Sequence, residues 1–291
     1  MGIILGLAAA LLWGSADFFA CGACRRIGSF RTLLYMQFVG FVGVGAYLLV
    51  SGELPQLLAQ TSAEDWAWAV FFALLNMISS LALYRAFEIT TAVSIVSPIA
   101  ASYGAITVVL AFLSGETVTA VRGAGILLAL FGVVLAATNF EAVVSRRDYS
   151  AGRFGGGIGL AMFSAVGYGV AFWLLGVRVT PALGGVAPVV VARLTTIICL
   201  TAIALLRGLS LRVADRTAWP IIIAVGVLDT TAFVANAIGL TTDQISVVTV
   251  LASLFTAVTV VLSWIFFKER LARSQLAGIV LILAGIVLVS L

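Results

Sequence analysis

Two stretches decide how this chain folds: "GETVTAVRGAGILLALFGVVL" (residues 115–135) and "KERLARSQLAGIVLILAGIVL" (residues 268–288). Laid over one another at an offset of 153 residues, they align Glu116 with Glu269, Gly125 with Gly278 and Gly132 with Gly285. The same offset places Gly6, Leu7 and Ala8 on Gly159, Leu160 and Ala161, Gly14 on Gly167, Phe19 on Phe172 and Trp66 on Trp219. A register that holds from the first apolar run to the last marks an internal repeat. Gly125 and Gly132 lie seven residues apart and share a helix face. Small residues on such a face let a neighbouring helix come close.

The repeat sits in a chain of 291 residues that is 63% hydrophobic and only 10% charged, with a mean hydropathy of +1.21. Soluble domains are about half apolar and about a quarter charged, so this composition belongs in a bilayer. Ten segments are long enough to span it: about 3–22, 32–50, 66–86, 92–113, 121–139, 157–177, 186–206, 219–239, 245–267 and 272–291. Their apolar runs are continuous rather than alternating, which argues for helices and against a barrel. The polar stretch "EAVVSRRDYSAGRFGGG" (141–157) divides them five and five. The expected fold is therefore all-α, with ten transmembrane helices in two five-helix repeats, 1–140 and 157–291, joined by a linker loop at 141–156. An odd number of spans per repeat makes the second repeat enter the membrane from the opposite side. That inverted topology is a transporter plan, with the substrate site near the midplane between the halves.

Thirteen of the 16 basic residues fall in the odd-to-even loops, among them Arg25, Arg26, Arg31, Arg85, Arg146, Arg147, Arg207, Arg212, Arg216 and Lys268. The other set of loops carries only Arg122 and Arg178, and Arg193 lies inside a span. Positive residues stay on the cytoplasmic side, so both termini are expected outside, in a multi-pass protein of the cell membrane. The first apolar run is too long for a cleavable signal peptide, and "CRR" follows it instead of a small-residue cleavage site. The net charge of +4 is small and gives no nucleic-acid signal.

Enzyme chemistry has little to build on. The chain has no histidine, the commonest general base and metal ligand. Cys21 and Cys24 form a C-x-x-C and Cys199 stands apart. Zinc would need further ligands, so neither a metal nor another cofactor is expected. A membrane thiol oxidoreductase using Cys21 and Cys24 is one alternative reading, and a non-transporting scaffold subunit is another. No phosphate-binding G-x-x-x-x-G-K-[ST] loop occurs, so transport would draw on a gradient, of protons in the simplest case, or on an external partner.

Three sequence features are similar to the drug/metabolite transporter superfamily, in its EamA-type ten-helix form. "LLWGSADFF" (11–19) resembles the W-G pattern of the family's first helix. "SPIAASYGAITVVLAFLSGE" (97–116) is similar to its fourth helix, with a Pro and a terminal Glu. "GAGILLALFGVVL" and "LAGIVLILAGIVL" resemble its G-x-x-L-I-L-x-G-V ends. The resemblance covers essentially the whole chain. It implies a secondary transporter, often an exporter, of small metabolites such as amino acids or amines. In the second half Val250 stands where Pro98 would recur, so a kink made by that Pro is expected on one side only.

Candidate transport residues are polar groups in the middle of spans. Asp229 is central in 219–239, and its repeat mate, Asn76, is central in 66–86. A charge at a helix centre costs about 2.5–3.5 kcal/mol on the insertion scale and so faces a cavity or a partner. Asn76, Ser79 and Ser80 share a face, as do Asp229 and Asn236. Asp229 is read either as a substrate or proton site or as an ion-pair partner of Arg193, which lies within reach along the membrane normal. Asp17, one turn after Trp13, is a second coupling or ion-pair candidate. Trp13, Tyr168, Phe172 and Trp173 are candidates for aromatic walls, and Ser94, Ser97, Ser246, Thr249, Ser253 and Thr256 for hydroxyl faces. Gln37 and Tyr103 complete the set. Glu116 and Glu269 read as acidic residues opening the last helix of each half.

Overall fold

Continuous apolar runs rich in Ala, Leu and Gly leave the backbone no partner in lipid but itself, and the chain answers with helices. The computed structural model describes residues 1–89, 93–137, 151–213, 215–267 and 273–290. Lys268, Glu269, Arg270 and the linker residues 141–150 lie outside the described residues, as do the side chains of Ser94, Pro98 and Arg153. The helices are α1 (Gly2–Ile27), α2 (Ser29–Val50), α3 (Glu53–Gln60), α4 (Ala63–Ile89), α5 (Val93–Ala101), α6 (Tyr103–Leu113) and α7 (Ala120–Ala137), then α8 (Ala151–Leu174), α9 (Thr180–Leu183), α10 (Ala187–Leu206), α11 (Trp219–Thr242), α12 (Ile245–Ser253), α13 (Phe255–Phe267) and α14 (Arg273–Ser290). Six helical stretches are long and apolar enough to cross a membrane, and four shorter apolar helices accompany them. The chain is an all-α membrane protein.

Packing follows the repeat. α4 packs on α8, and their repeat counterparts, α11 (153 residues after α4) and α1 (153 before α8), pack on each other. In the same way α4–α10 mirrors α11–α2, and α6–α8 mirrors α13–α1. α7 and α14 pair with each other across the pseudo-symmetry axis. Their contact is backbone on backbone. A Cβ on Gly125 would lie 2.8 Å from the Val289 nitrogen, and one on Gly132 2.8 Å from the Ile282 nitrogen. A Cβ on Gly285 would lie 2.8 Å from the Ala129 nitrogen. The glycines of the two opening stretches are thus the surface along which these two helices touch.

The fourth and ninth spans are each broken. Ser102 separates α5 from α6, and Leu254 separates α12 from α13. The expectation of a one-sided kink at Pro98 is therefore corrected. Both breaks share a device that needs no proline. Ser102 Oγ donates to the Ile99 carbonyl at 2.6 Å, and Ser253 Oγ to the Val250 carbonyl at 2.8 Å. At each break the backbone also tightens to a three-residue hydrogen bond, Ser102 N to Ile99 O and Leu254 N to Leu251 O, both 3.2 Å. Serine back-bonding of this kind bends helices.

Two further differences concern helix ends. α8 begins at Ala151, so residues 151–156 of the expected linker loop are helical. Gly155, Gly156 and Gly157 disguise this, because glycine disfavours helix in isolation. α3 is too short to span, contains no buried residue and follows α2 through Gly52, whose φ of 71° suits glycine.

The loops sort onto two faces. On one, Arg31 donates to the Ser210 carbonyl at 2.9 Å, Tyr35 to the Leu211 carbonyl at 2.6 Å and Arg26 to Thr217 at 3.4 Å. There too the α1–α2 turn passes through Gly28 alone (φ 86°), and Glu88 accepts from the Ser29 amide at 3.0 Å. On the other face Arg178 pairs with Glu64, and the α7 entry meets the start of α12. Among the described residues, the loops after the first, third and seventh spans thus share one face.

Candidate functional site

Between the halves lies a cavity. Four helices each give it residues one or two turns apart, so each presents a single stripe: Trp13 and Asp17 from α1, Asn76, Ser80 and Tyr84 from α4, Tyr168 and Phe172 from α8, Asp229 and Phe233 from α11. Gln37 and Met36 enter from α2, Arg193 from α10, Tyr103 from α6 and Phe255 from α13. Asn76 and Asp229 are repeat mates, and so are Ser80 and Phe233, so the cavity straddles the pseudo-symmetry axis. Trp13, Asn76 and Asp229 each lie near the middle of their helices.

One charge network organises it. Arg193 Nη2 lies 2.7 Å from Asp229 Oδ2, and Arg193 Nη1 donates to Gln37 Oε1 at 2.6 Å. Trp13 Nε1 donates to the other Asp229 oxygen at 3.1 Å. The guanidinium carbon sits 5.3 Å from the Phe233 ring centre, a cation–π distance. Arg193 is 2% exposed, whereas the Asp229 side chain retains 18% toward the cavity. The repeat mate of Arg193 is Gly40. A Cβ on Gly40 would fall 3.3 Å from Arg193 Nε and closer still to Thr230 Oγ1. α2 and α10 face each other across the axis, and only one of the two positions has room for a large side chain.

Aromatic rings form the wall. Trp13 meets Phe172 at 5.5 Å and Phe233 at 6.2 Å between centroids, and Tyr103 stacks toward Phe255 at 6.3 Å. Tyr168 donates its hydroxyl to Ser80 at 2.8 Å. Asp17, 8% exposed, faces the cavity without a hydrogen-bond or ion-pair partner among the described residues.

Other residues singled out in the sequence lie elsewhere. Trp173 donates its indole N–H to Ser114 Oγ at 2.8 Å, away from the cavity wall, so the expected wall position is corrected. Asn236, Ser97, Thr249 and Ser253 are buried between helices and do not line the cavity. Ser97 accepts through its carbonyl from Thr256 at 3.4 Å, and Ser253 packs where a Cβ on Gly104 would sit 3.0 Å away. Their helices are tightly packed on the polar face, and hydroxyl spacing alone does not tell a cavity from a contact. Ser94 lies outside the residues whose side chains are described. Cys21 and Cys24 are buried free thiols within α1.

Glu116 does not serve the helix that follows it. Its carboxylate accepts from the Ile245 and Ser246 amides, both at 3.1 Å, and from the Ser246 hydroxyl, capping α12 from the other half. Gln244 donates to the Thr117 carbonyl at 2.7 Å, and Arg122 reaches Gln244 at 3.3 Å and Asp243 at 3.9 Å. This ties the halves together on the face opposite the arginine-rich one. Of the lining residues, Met36, Leu83, Tyr84, Ala100, Phe233 and Phe255 escaped the sequence reading. Phe233 and Tyr84 were within reach of it, each one turn beyond a polar residue already singled out.

Paired five-helix halves closing around a charged, aromatic-walled cavity define a membrane transport protein. The EamA-like transporter family matches residues 1–138 and again 155–291, and the chain belongs to that family, whose members are transporters rather than enzymes. An uncharacterised protein of Methanocaldococcus jannaschii is 34% identical over 134 residues, which is 46% of this chain and 93% of that protein. A protein of known crystal structure superposes with a TM-score of 0.75 at 18% identity, covering 99% of this chain and 95% of its own. At that identity the likeness is one of fold.

Proposed function

We propose that this transporter is a secondary active exporter of small polar metabolites, of the amino acid or amine class, working by alternating access around the central cavity. The observation that carries the reading is the costly buried Arg193–Asp229 pair of the second half, which Trp13 and Gln37 of the first half complete across the junction. Trp13, Asn76, Tyr168, Asp17 and Asp229 form the substrate cavity, with Ser80, Tyr84 and the Phe172 and Phe233 rings. The repeats span 1–140 and 157–291, and both termini are extracytoplasmic. The contacts of Glu116 with the α12 N-terminus close the outer side, and they break when the halves rock to release the solute.

A proton gradient drives the cycle through Asp229. Protonation there removes one partner of the ion pair, so Arg193 must find a new arrangement, and this couples proton uptake to rearrangement of the halves. The test is solute flux in proteoliposomes with an imposed pH gradient. Wild-type protein is expected to give saturable flux that depends on the gradient, and Asp229→Asn to lose that dependence. A variant that keeps the wild-type rate and pH response would refute coupling at Asp229. Absence of solute flux with the wild type across a broad metabolite panel would refute transport itself.

A further inference from the structure

Resting on the reading of the cavity as the transport site, we propose that the preferred substrate is a monocationic organic amine without a carboxylate, and that Asp17 is the residue that selects it. Apart from tyrosines, three ionisable side chains among the described residues line the cavity: Asp17, Arg193 and Asp229. Two of them cancel. Arg193 and Asp229 meet at 2.7 Å, the second Asp229 oxygen accepts from Trp13, and Arg193 Nη1 is held by Gln37. Asp17 has no such partner among the described residues, yet it is on the same wall, one turn from Trp13 on α1. The pocket therefore holds one buried acidic side chain that no cation among the described residues compensates.

A single ammonium group supplies the cation that Asp17 lacks. A zwitterion brings a carboxylate with it, into a site that already holds two acidic side chains and whose one cation among the described lining residues is engaged. Arg193 Nε, which lacks a hydrogen-bond partner, lies beside Gly40 on α2, so it is tucked behind the ion pair. The aromatic wall adds to the preference. The rings of Trp13, Phe172 and Phe233 meet within 6.2 Å of one another, and such faces attract an ammonium while offering a carboxylate nothing. Selection against the zwitterion is thus by a carboxylate left without a cation.

Tyramine, tyrosine and tyrosol provide matched probes. Tyrosine adds a carboxylate to tyramine, and tyrosol replaces the ammonium by a hydroxyl. Radiolabelled tyramine binding to the purified full chain in detergent is expected to be saturable, with tyrosine and tyrosol competing at least about tenfold more weakly. Asp17→Asn is expected to lose at least about tenfold in tyramine affinity while eluting and melting like the wild type, and Asp17→Glu to keep the preference for tyramine over tyrosine. Equal competition by tyrosine, unchanged tyramine binding by Asp17→Asn, or no tyramine binding by the wild type would each overturn the assignment. Flux of neutral metabolites in proteoliposomes is a separate readout. Flux without amine preference removes this inference and leaves the transport reading standing.

Discussion

Replacing Asp229 by Asn removes the charge that Arg193 faces at 2.7 Å and leaves the guanidinium in place. Asn has nearly the same volume and keeps an oxygen for the Trp13 indole, so the loss is one of charge rather than of packing. Arg193 is 2% exposed. Removing one partner of such a pair costs about 3–5 kcal/mol, because a buried charge is left uncompensated. The reverse substitution is milder. Arg193→Met leaves Asp229, whose side chain is 18% exposed to the cavity, with the Trp13 donor still present. That loss is of the order of an unmade hydrogen bond to a group with some solvent access, about 1–3 kcal/mol. With both charges gone the double variant is expected close to the wild type, within about 1 kcal/mol, so the coupling between the two sites exceeds about 2 kcal/mol. The assay is a double-mutant cycle on reversible unfolding by SDS in mixed micelles, followed by tryptophan fluorescence. Coupling below about 0.5 kcal/mol, or a greater loss for Arg193→Met than for Asp229→Asn, would refute the account of this pair.

Three further outcomes are expected. Gly132→Leu places a side chain where the Ile282 backbone nitrogen lies 2.8 Å away, so α7 and α14 must separate; thermal melting should drop by the equivalent of about 1–3 kcal/mol or more, while Gly22→Leu, with open space around it, melts as the wild type. Glu116→Ala leaves the Ile245 and Ser246 amides uncapped, at a cost of about 1 kcal/mol, and hydrogen exchange at those two amides should accelerate while exchange in α1 stays unchanged. The Thr217 hydroxyl and amide hold the Asp215 carboxyl below its usual range, so the pair contributes stability above the ordinary carboxylate range and loses it as pH falls through the lowered value. Thr217→Ala should raise the Asp215 titration midpoint, as read by carboxyl-carbon NMR.

What was legible in the sequence had a periodic or a paired signature. The 153-residue register exposed the two halves, because glycine positions that hold helices in backbone contact cannot drift without separating them. Asp229 and Asn76 stood out because a polar group at a span centre is costly wherever it falls, and both line the cavity. The match of Arg193 to Asp229 was readable as possible from their depths, and the structure makes it. The part that stayed hidden depends on rotation about helix axes and on partners distant in sequence. Trp173 and Tyr168 are five residues apart on one helix, and only the packing of α8 decides which of them meets the cavity. Glu116 looked like the opening residue of its own helix, while its true partner, the α12 N-terminus, is about 130 residues away. The break at Leu254 carries no Pro to announce it, since a serine bonding to its own helix produces the same bend.

The central claim is that solute crosses the membrane through the cavity between the halves, and filling that cavity tests it most directly. Asn76 is 5% exposed and lines the cavity, whereas Val42, on α2, is 67% exposed on the outer surface of the bundle. Solute counterflow should be measured in proteoliposomes carrying the wild type, Asn76→Trp or Val42→Trp at equal protein density. Saturable counterflow by the wild type and Val42→Trp, with loss of flux in a folded Asn76→Trp, is the predicted result. Undiminished flux through Asn76→Trp would contradict it.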